Sequence, residues 1–162
     1  MWRLSGAYLM LVSTTLSVYY LPRLSELKTG EEIKKEILAG YRAILPVAIV
    51  CAFIVYTLRY FIIESLFSAA FLPMEDLFFW QLFGDMLKIM SWIVAFVMLG
   101  KSMTFTYIMT EIFFTLSLLI LTIVAVSFHG LVGASIAYAM NYALYFIAVI
   151  VIIGRYFRLH TN

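Results

Sequence analysis

Five long apolar runs constrain this chain more than any other feature of its sequence. Each run has about twenty residues, which is the length of helix that crosses a bilayer. Lipid cannot hydrogen-bond to free backbone groups, so spanning segments are helical by default, and no alternating strands of a barrel are visible. The fold class predicted is all-α, a polytopic transmembrane helix bundle in which residues 1–162 form a single transmembrane domain. Its spans are predicted at about Trp2–Leu21, Tyr41–Ile63, Leu77–Leu99, Phe105–Val126 and Leu131–Gly154.

The composition excludes a soluble globular domain. Hydrophobic residues make up 65% of the chain and charged residues 12%, whereas a typical soluble domain has about 45–50% and 25%. A chain of this size could not hide so much apolar surface from water. The net charge of +2 is too small to indicate a nucleic-acid partner.

The longest polar connector, Pro22–Gly40, has the pattern of an amphipathic helix. Thr29 followed by Glu32 is typical of a capping box, and Glu31 with Lys35 is a favourable pair at i,i+4. We predict a short helix that lies at the membrane surface and leads into the second span. The other connectors are an acidic stretch at Glu64–Asp76, a short GKSMT stretch around Lys101 and a turn at Ser127–Gly130.

The distribution of basic residues predicts the orientation, because cytoplasmic loops carry an excess of Lys and Arg. The Pro22–Gly40 connector and the C-terminus are therefore expected in the cytoplasm, with Met1 outside. An outward N-terminus before five spans favours a fragment whose earlier spans are missing, and a complete five-span protein is the alternative. The two sides receive eight and two basic residues: Arg23, Lys28, Lys34, Lys35, Arg42, Lys101, Arg155 and Arg158 against Arg3 and Arg59.

The third span contains two opposite charges, Asp85 and Lys88. At ~1.5 Å per residue they lie about 12 and 16 Å along the span, close to the middle of the membrane. Each would cost about 2.5–3.5 kcal/mol there if it were unpaired. They are three residues apart and can pair on one helix face, and Gln81 continues the same polar stripe. The stripe predicts a translocation pathway, and an ion pair that only locks helix packing is the alternative.

Three other features are candidate sites with a second interpretation each. Glu111 in the fourth span could bind a proton or cation or act as a gate charge, or it could be hydrated near the interface. Arg42 could face a cavity and hold a phosphate, or extend to the membrane surface. The four-residue spacing of Gly133, Ala137 and Asn141 predicts a helix-packing face with a polar pin.

The sequence has no signature of an enzyme, a cofactor or a metal site. It lacks a Gly-rich phosphate loop, a nucleophile elbow and a metal-ligand cluster. Its lone cysteine, Cys51, cannot form an internal disulfide.

Three stretches of the chain carry a resemblance to a known family. AYLMLVSTTLSVYYLPRLSEL, at Ala7–Leu27, resembles the eighth span and following loop of Wzx-type O-antigen flippases and of the related flippases of enterobacterial common antigen synthesis. DLFFWQLFGDMLK, at Asp76–Lys88, is similar to the start of that family's tenth span. HGLVGASIAYAMNYALYF, near the C-terminus, is similar to its twelfth.

The resemblance implies a place in a carrier of about twelve spans, in which two six-helix lobes enclose a central cavity. This chain would form most of the C-terminal lobe, in the bacterial inner membrane. The family moves an undecaprenyl-pyrophosphate-linked oligosaccharide from the cytoplasmic to the periplasmic leaflet. The expected partners are that substrate, membrane lipids, the missing N-terminal lobe and a polysaccharide polymerase with its chain-length regulator.

The resemblance also implies that Arg42, Asp85 and Lys88 form a charged cavity wall. Lys88 and Arg42 would contact the pyrophosphate, and Asp85 would orient Lys88. Two other functions remain open. One is a non-transporting scaffold or truncated remnant in polysaccharide assembly, and the other is a drug or cation antiporter in which Asp85 or Glu111 binds H⁺ or Na⁺.

Overall fold

The computed structural model describes residues 2–61 and 75–160, and all its regular structure there is helical. The helices are α1 (Trp2–Thr15), a π-helical segment (Leu16–Tyr20), α2 (Leu21–Glu26), α3 (Gly30–Thr57), α4 (Glu75–Gly100) and α5 (Thr104–His160). The predicted acidic connector and the end of the second span fall largely at 62–74, outside the described residues, as does Met1.

The first predicted span is one continuous helical rod that changes its hydrogen-bond register near its end. The Leu21 N–H donates to the Leu16 carbonyl, five residues earlier, instead of four. Pro22 follows, and it has no N–H with which to continue the ladder. The π-helical turn therefore lies directly before a proline that interrupts the α-helical pattern.

α3 begins with the capping box that the sequence predicts. The Thr29 hydroxyl accepts from the Glu32 N–H at 3.3 Å, and the Glu32 carboxylate accepts from the Thr29 N–H at 3.1 Å. The helix then continues past Gly40 to Thr57, so the predicted short helix and the second span are parts of one helix. The predicted Glu31–Lys35 pair is wrong, because Glu31 pairs with Lys34 at 3.1 Å.

α4 lies at the centre of the bundle, where it packs against α1, α2, α3 and α5. Its residues Ile89, Ile93 and Val97 are fully buried. The large apolar side chains of α3 and α5 are mostly exposed instead, with Phe53 69% and Phe105 76% accessible. An apolar outer surface around a packed interior is the arrangement that a lipid environment permits.

α5 is divided at Gly130, which has a φ of 59° and a ψ of −144°. A positive φ carries little penalty for glycine, so the chain reverses there and continues as a second helical segment. We call residues 104–129 the first limb and residues 131–160 the second limb. The break falls at the end of the predicted Ser127–Gly130 turn, and the limbs correspond to the fourth and fifth predicted spans. The predicted all-α bundle is thus confirmed.

Candidate functional site

A buried carboxylate, that of Asp85, joins three helices in the interior of the bundle. Its exposure is 0%. Oδ1 accepts from the Tyr138 hydroxyl of the second limb at 2.8 Å, and Oδ2 accepts from the Tyr8 hydroxyl of α1. Gln81, one turn earlier on α4, adds a long contact of 3.4 Å from Nε2 to Oδ1. Hydroxyl and amide donors therefore satisfy this carboxylate on both of its oxygens.

Gly84 allows the second limb to approach α4 closely enough for this cluster to form. A Cβ atom at position 84 would lie 2.4 Å from Cδ1 of Tyr138 and 3.2 Å from Cα of Ala139. Both distances are shorter than an ordinary carbon–carbon contact of about 3.5–4.0 Å. A residue without a Cβ is therefore required where the Tyr138 ring crosses α4.

The Lys88 ammonium lies among aromatic rings and is in direct ion-pair contact with no carboxylate of the described residues. Its Nζ is 5.0 Å from the ring centroids of Trp92 and Tyr142 and 5.7 Å from that of Tyr138. These distances are within the range of cation–π attraction. The predicted direct Asp85–Lys88 ion pair does not form, although the Asp85 and Glu111 carboxylates are close enough to attract the ammonium.

A pocket of about 220 Å³ lies beside Lys88 and Gln81. The Gln81 side chain is 3% exposed, and its Oε1 has no hydrogen-bond partner among the described residues. Buried polar atoms are nearly always paired, so this acceptor beside the pocket is a candidate contact for a ligand or a water molecule. The pocket is lined by Ser5, Gly6, Leu9, Gln81, Lys88, Leu118, Tyr138 and Tyr142.

A second, smaller cavity of about 30 Å³ lies between the two limbs of α5, with room for about one water molecule. Glu111 lines it and accepts a hydrogen bond from the Tyr145 hydroxyl. Asn141 lines it too, 2% exposed, with its Oδ1 unpaired within the described part of the chain. The structure thus brings Glu111 and Asn141 together, and an ion-coupling role for Glu111 stays a prediction.

The other residues of the predicted packing face lie nearer to Gly130. A Cβ at Gly133 would be 2.1 Å from the carbonyl oxygen of Ala125, which shows how closely the two limbs approach. Ala137 is 1% exposed. Asn141 differs from Gly133 and Ala137 because it lines a cavity. A role in helix packing alone therefore does not explain why its Oδ1 has no hydrogen-bond partner among the described residues.

Arg42 does not join the charged cluster. It lies on the exposed side of α3 and does not line the pocket beside Lys88. Its neighbour Tyr41 faces inward instead and donates to the Met90 carbonyl at 2.9 Å. The family resemblance grouped Arg42 with Asp85 and Lys88, and in this structure Arg42 lies on the exposed side of α3.

The aromatic members of the cluster, Tyr8, Tyr138, Tyr142 and Trp92, were not predicted as site residues. Tyrosine is typical of the membrane interface, where its hydroxyl meets water. The signal in the sequence was the position of Tyr138 and Tyr142, which lie about two and three turns inside a predicted span. A buried phenol there needs a hydrogen-bond partner.

These features define a class of protein. Three helices, Gly30–Thr57, Leu77–Gly100 and Thr104–Arg158, are long and apolar enough to cross a membrane. Together with the polar interior they define a multi-pass α-helical membrane protein with a charged internal site.

Comparison with known proteins gives the particular relatives. The chain is 35% identical, over 143 residues, to proteins named Lipid III flippase from Escherichia coli (strain K12) and from Shigella flexneri. The alignment covers 88% of this chain and 34% of each relative, so the chain spans about a third of the length of the curated relatives it matches. The resemblance to this flippase family is thus confirmed. No protein-family model and no solved structure matches the chain.

Proposed function

We propose that this chain forms part of a flippase that carries an undecaprenyl-pyrophosphate-linked oligosaccharide from the cytoplasmic to the periplasmic leaflet. One structural observation carries the proposal: the Lys88 cation adjoins a pocket, and no acidic side chain among the described residues pairs with it. The names of the two relatives support the same activity. The proposed ligand of Lys88 is the pyrophosphate.

The aromatic rings around Lys88 offset only part of the cost of burying its charge. A desolvated cation–π contact contributes about 2 kcal/mol, whereas lysine forms stronger charge-assisted hydrogen bonds with phosphate. A phosphate that enters the pocket therefore improves the electrostatic environment of the ammonium. Because no direct ion pair holds Lys88, the phosphate has none to break.

Asp85 has a different part in this proposal from the one predicted. It accepts from Tyr138, and the Tyr138 ring is one face of the aromatic surroundings of Lys88. Asp85 is thus a positioning residue that acts through Tyr138. The Tyr8 contact ties the same carboxylate to α1.

Transport by alternating access needs two bodies that move against each other. We therefore propose that a second lobe, of the kind implied by the family resemblance, faces this bundle across the substrate cavity. The prenyl chain of the substrate would stay in contact with lipid along the apolar outer surface. A polysaccharide polymerase and its chain-length regulator are proposed as further partners on the resemblance alone.

We propose the bacterial inner membrane as the location, with the C-terminus in the cytoplasm. The eight-to-two distribution of basic residues supports this orientation. Two contacts support a shared end of the bundle: Lys101 donates to the Leu27 carbonyl, and Lys34 lies 5.8 Å from the Phe157 ring centroid. The connectors at 27–34 and 101–103 and the C-terminal part of the second limb therefore lie together.

The test is Lys88→Met in the complete carrier that contains this chain, with surface polysaccharide and protein abundance both measured in cells. We expect loss of polysaccharide at normal abundance, because the substitution keeps the chain length and removes the cation. Lys35→Met is the matched control, since Lys35 is exposed and distant from the pocket. Normal polysaccharide in the Lys88→Met variant would refute the proposal.

The two alternatives give different results in the same experiment. If the protein is a scaffold or remnant, Lys88→Met changes abundance or assembly without a specific loss of polysaccharide. If it is a drug or cation antiporter, loss of the protein makes cells drug-sensitive and leaves the polysaccharide intact.

A further inference from the structure

The Gln81 side chain lines the pocket beside Lys88, and its buried Oε1 is an unpaired acceptor among the described residues. Its Nε2 faces Asp85 at 3.4 Å, and both Asp85 oxygens already accept from phenolic hydroxyls. A carboxylate that acts as an acceptor repels an amide oxygen, so the orientation with Nε2 toward Asp85 is favoured over the reversed one. Oε1 therefore points away from Asp85, and no donor among the described residues reaches it.

The position of Gln81 relative to Lys88 limits what the missing donor can be. The two residues are seven positions apart on α4, which is two turns on the same face and about 10 Å along the helix axis. Both line the one pocket. A ligand whose anion reaches Lys88 must therefore carry a hydrogen-bond donor within about 10 Å of that anion.

We propose that Gln81 Oε1 accepts a hydrogen bond from a hydroxyl or amide N–H of the sugar attached to the pyrophosphate. This inference rests on the proposed function, because it takes the anion at Lys88 to be the lipid pyrophosphate. In a lipid-linked oligosaccharide, the first sugar is the nearest source of an O–H or N–H donor. Prenyl pyrophosphate without a sugar offers no such neutral donor beyond the anion.

Gln81 is thus a specificity-determining residue that favours the glycosylated lipid over its sugar-free form. A site with a buried hydrogen-bonding group discriminates against a ligand that leaves that group unpaired. The terminal torsion of glutamine is soft, so Oε1 can turn toward an entering donor without a change of rotamer. The expected preference that Gln81 contributes is about tenfold in affinity.

The experiment compares two ligands on the complete carrier in lipid nanodiscs: undecaprenyl-pyrophosphate-linked oligosaccharide and undecaprenyl pyrophosphate. Affinities are measured by microscale thermophoresis for the native protein, Gln81→Met, Lys88→Met and Ser91→Ala. We expect Gln81→Met to weaken the oligosaccharide ligand about tenfold and to leave the sugar-free ligand unchanged. Lys88→Met should weaken both ligands. Ser91→Ala is the control, because Ser91 is buried on α4 and bonds only within its own helix, to the Leu87 carbonyl.

A second measurement varies the ligand, so the inference remains testable if Gln81→Met does not fold. A lipid-linked sugar with its hydroxyls replaced by fluorine and its amide N–H by CH2 keeps nearly the same size and loses its donors. We expect the native carrier to bind it about tenfold more weakly than the unmodified ligand. Equal affinity for these two ligands, or an equal loss for both ligands in Gln81→Met, overturns the Gln81 inference. A Lys88→Met variant that binds both ligands normally overturns the proposed function itself.

Discussion

The close contact at Gly84 allows a quantitative prediction for Gly84→Ala. The new Cβ would lie 2.4 and 2.8 Å from two carbons of the Tyr138 ring and 3.2 Å from the Ala139 Cα. An ordinary contact needs about 3.5–4.0 Å, so the ring must move by roughly 1 Å or more. The ring is held at its far end, where the hydroxyl donates to Asp85 at 2.8 Å, and a shift of that size breaks the hydrogen bond.

Two destabilising contributions and one stabilising contribution set the change in unfolding free energy of Gly84→Ala. Overpacking costs about 1–3 kcal/mol, and loss of a hydrogen bond to a charged group costs about 1.5–3 kcal/mol. Alanine in a helix gains about 1 kcal/mol over glycine. We therefore expect Gly84→Ala to destabilise the bundle by about 1.5–5 kcal/mol, which lowers Tm by roughly 3–20 °C in a chain of this length.

The assay is thermal unfolding of the purified protein in detergent, followed by tryptophan fluorescence. Gly154→Ala and Gly6→Ala are matched controls, because a Cβ at either position has no atom within 4 Å. They should leave Tm unchanged or raise it slightly. Tyr138→Ala should cost less in the Gly84→Ala background than in the native protein, since the ring that clashes is gone. A Gly84→Ala variant that melts like Gly154→Ala would refute the packing of α4 against the second limb.

Two further predictions concern the cap of α3 and the orientation of the chain. Thr29→Ala should cost about 1 kcal/mol and raise amide hydrogen exchange in the first turn of α3, and unchanged exchange would contradict the capping box. The N–H groups of Thr29 and Lys28 lower the pKa of Glu32, so the cap is complete at and above the usual glutamate pKa. It should be lost only as pH falls through the lowered value, with a matching fall in the exchange protection factors of the first turn of α3 that Glu32→Gln removes. A fluorescent protein fused to the C-terminus should fluoresce in the cytoplasm, whereas activity of a periplasmic reporter at the same position would reverse the proposed orientation.

Features that depend on neighbouring residues could be predicted from the sequence. The capping box at Thr29 and Glu32 needs only two side chains and the backbone between them. The break at Gly130 follows from a residue that tolerates a positive φ between two apolar runs. The sequence did not predict that the polar connector and the second span form one continuous helix. The change from polar to apolar residues was interpreted as the end of one helix, but it marks only the point where the helix passes from water into lipid.

The sequence predicted which residues of α4 belong to the cluster around Asp85, but not their partners on other helices. Spacing of three and four residues placed Gln81, Asp85 and Lys88 on one face of α4, and all three lie in or beside the pocket. The partners of Asp85 come from positions 77 residues earlier and 53 residues later, so they depend on tertiary packing. Periodicity within one helix cannot identify them.

The contacts of Asp85 and Lys88 bear on whether these charges serve helix packing or ligand binding. If Asp85 and Lys88 served only to lock the helices, direct pairing would favour both, because each buried charge would meet its opposite three residues away. Phenolic hydroxyls satisfy Asp85 instead, and they join α1, α4 and the second limb through it. Lys88 is left with aromatic faces, whose attraction of about 2 kcal/mol each is weaker than a carboxylate would supply. In the proposed function, a cation held in this way would accept a phosphate and release it without disturbing the contacts that hold the helices together.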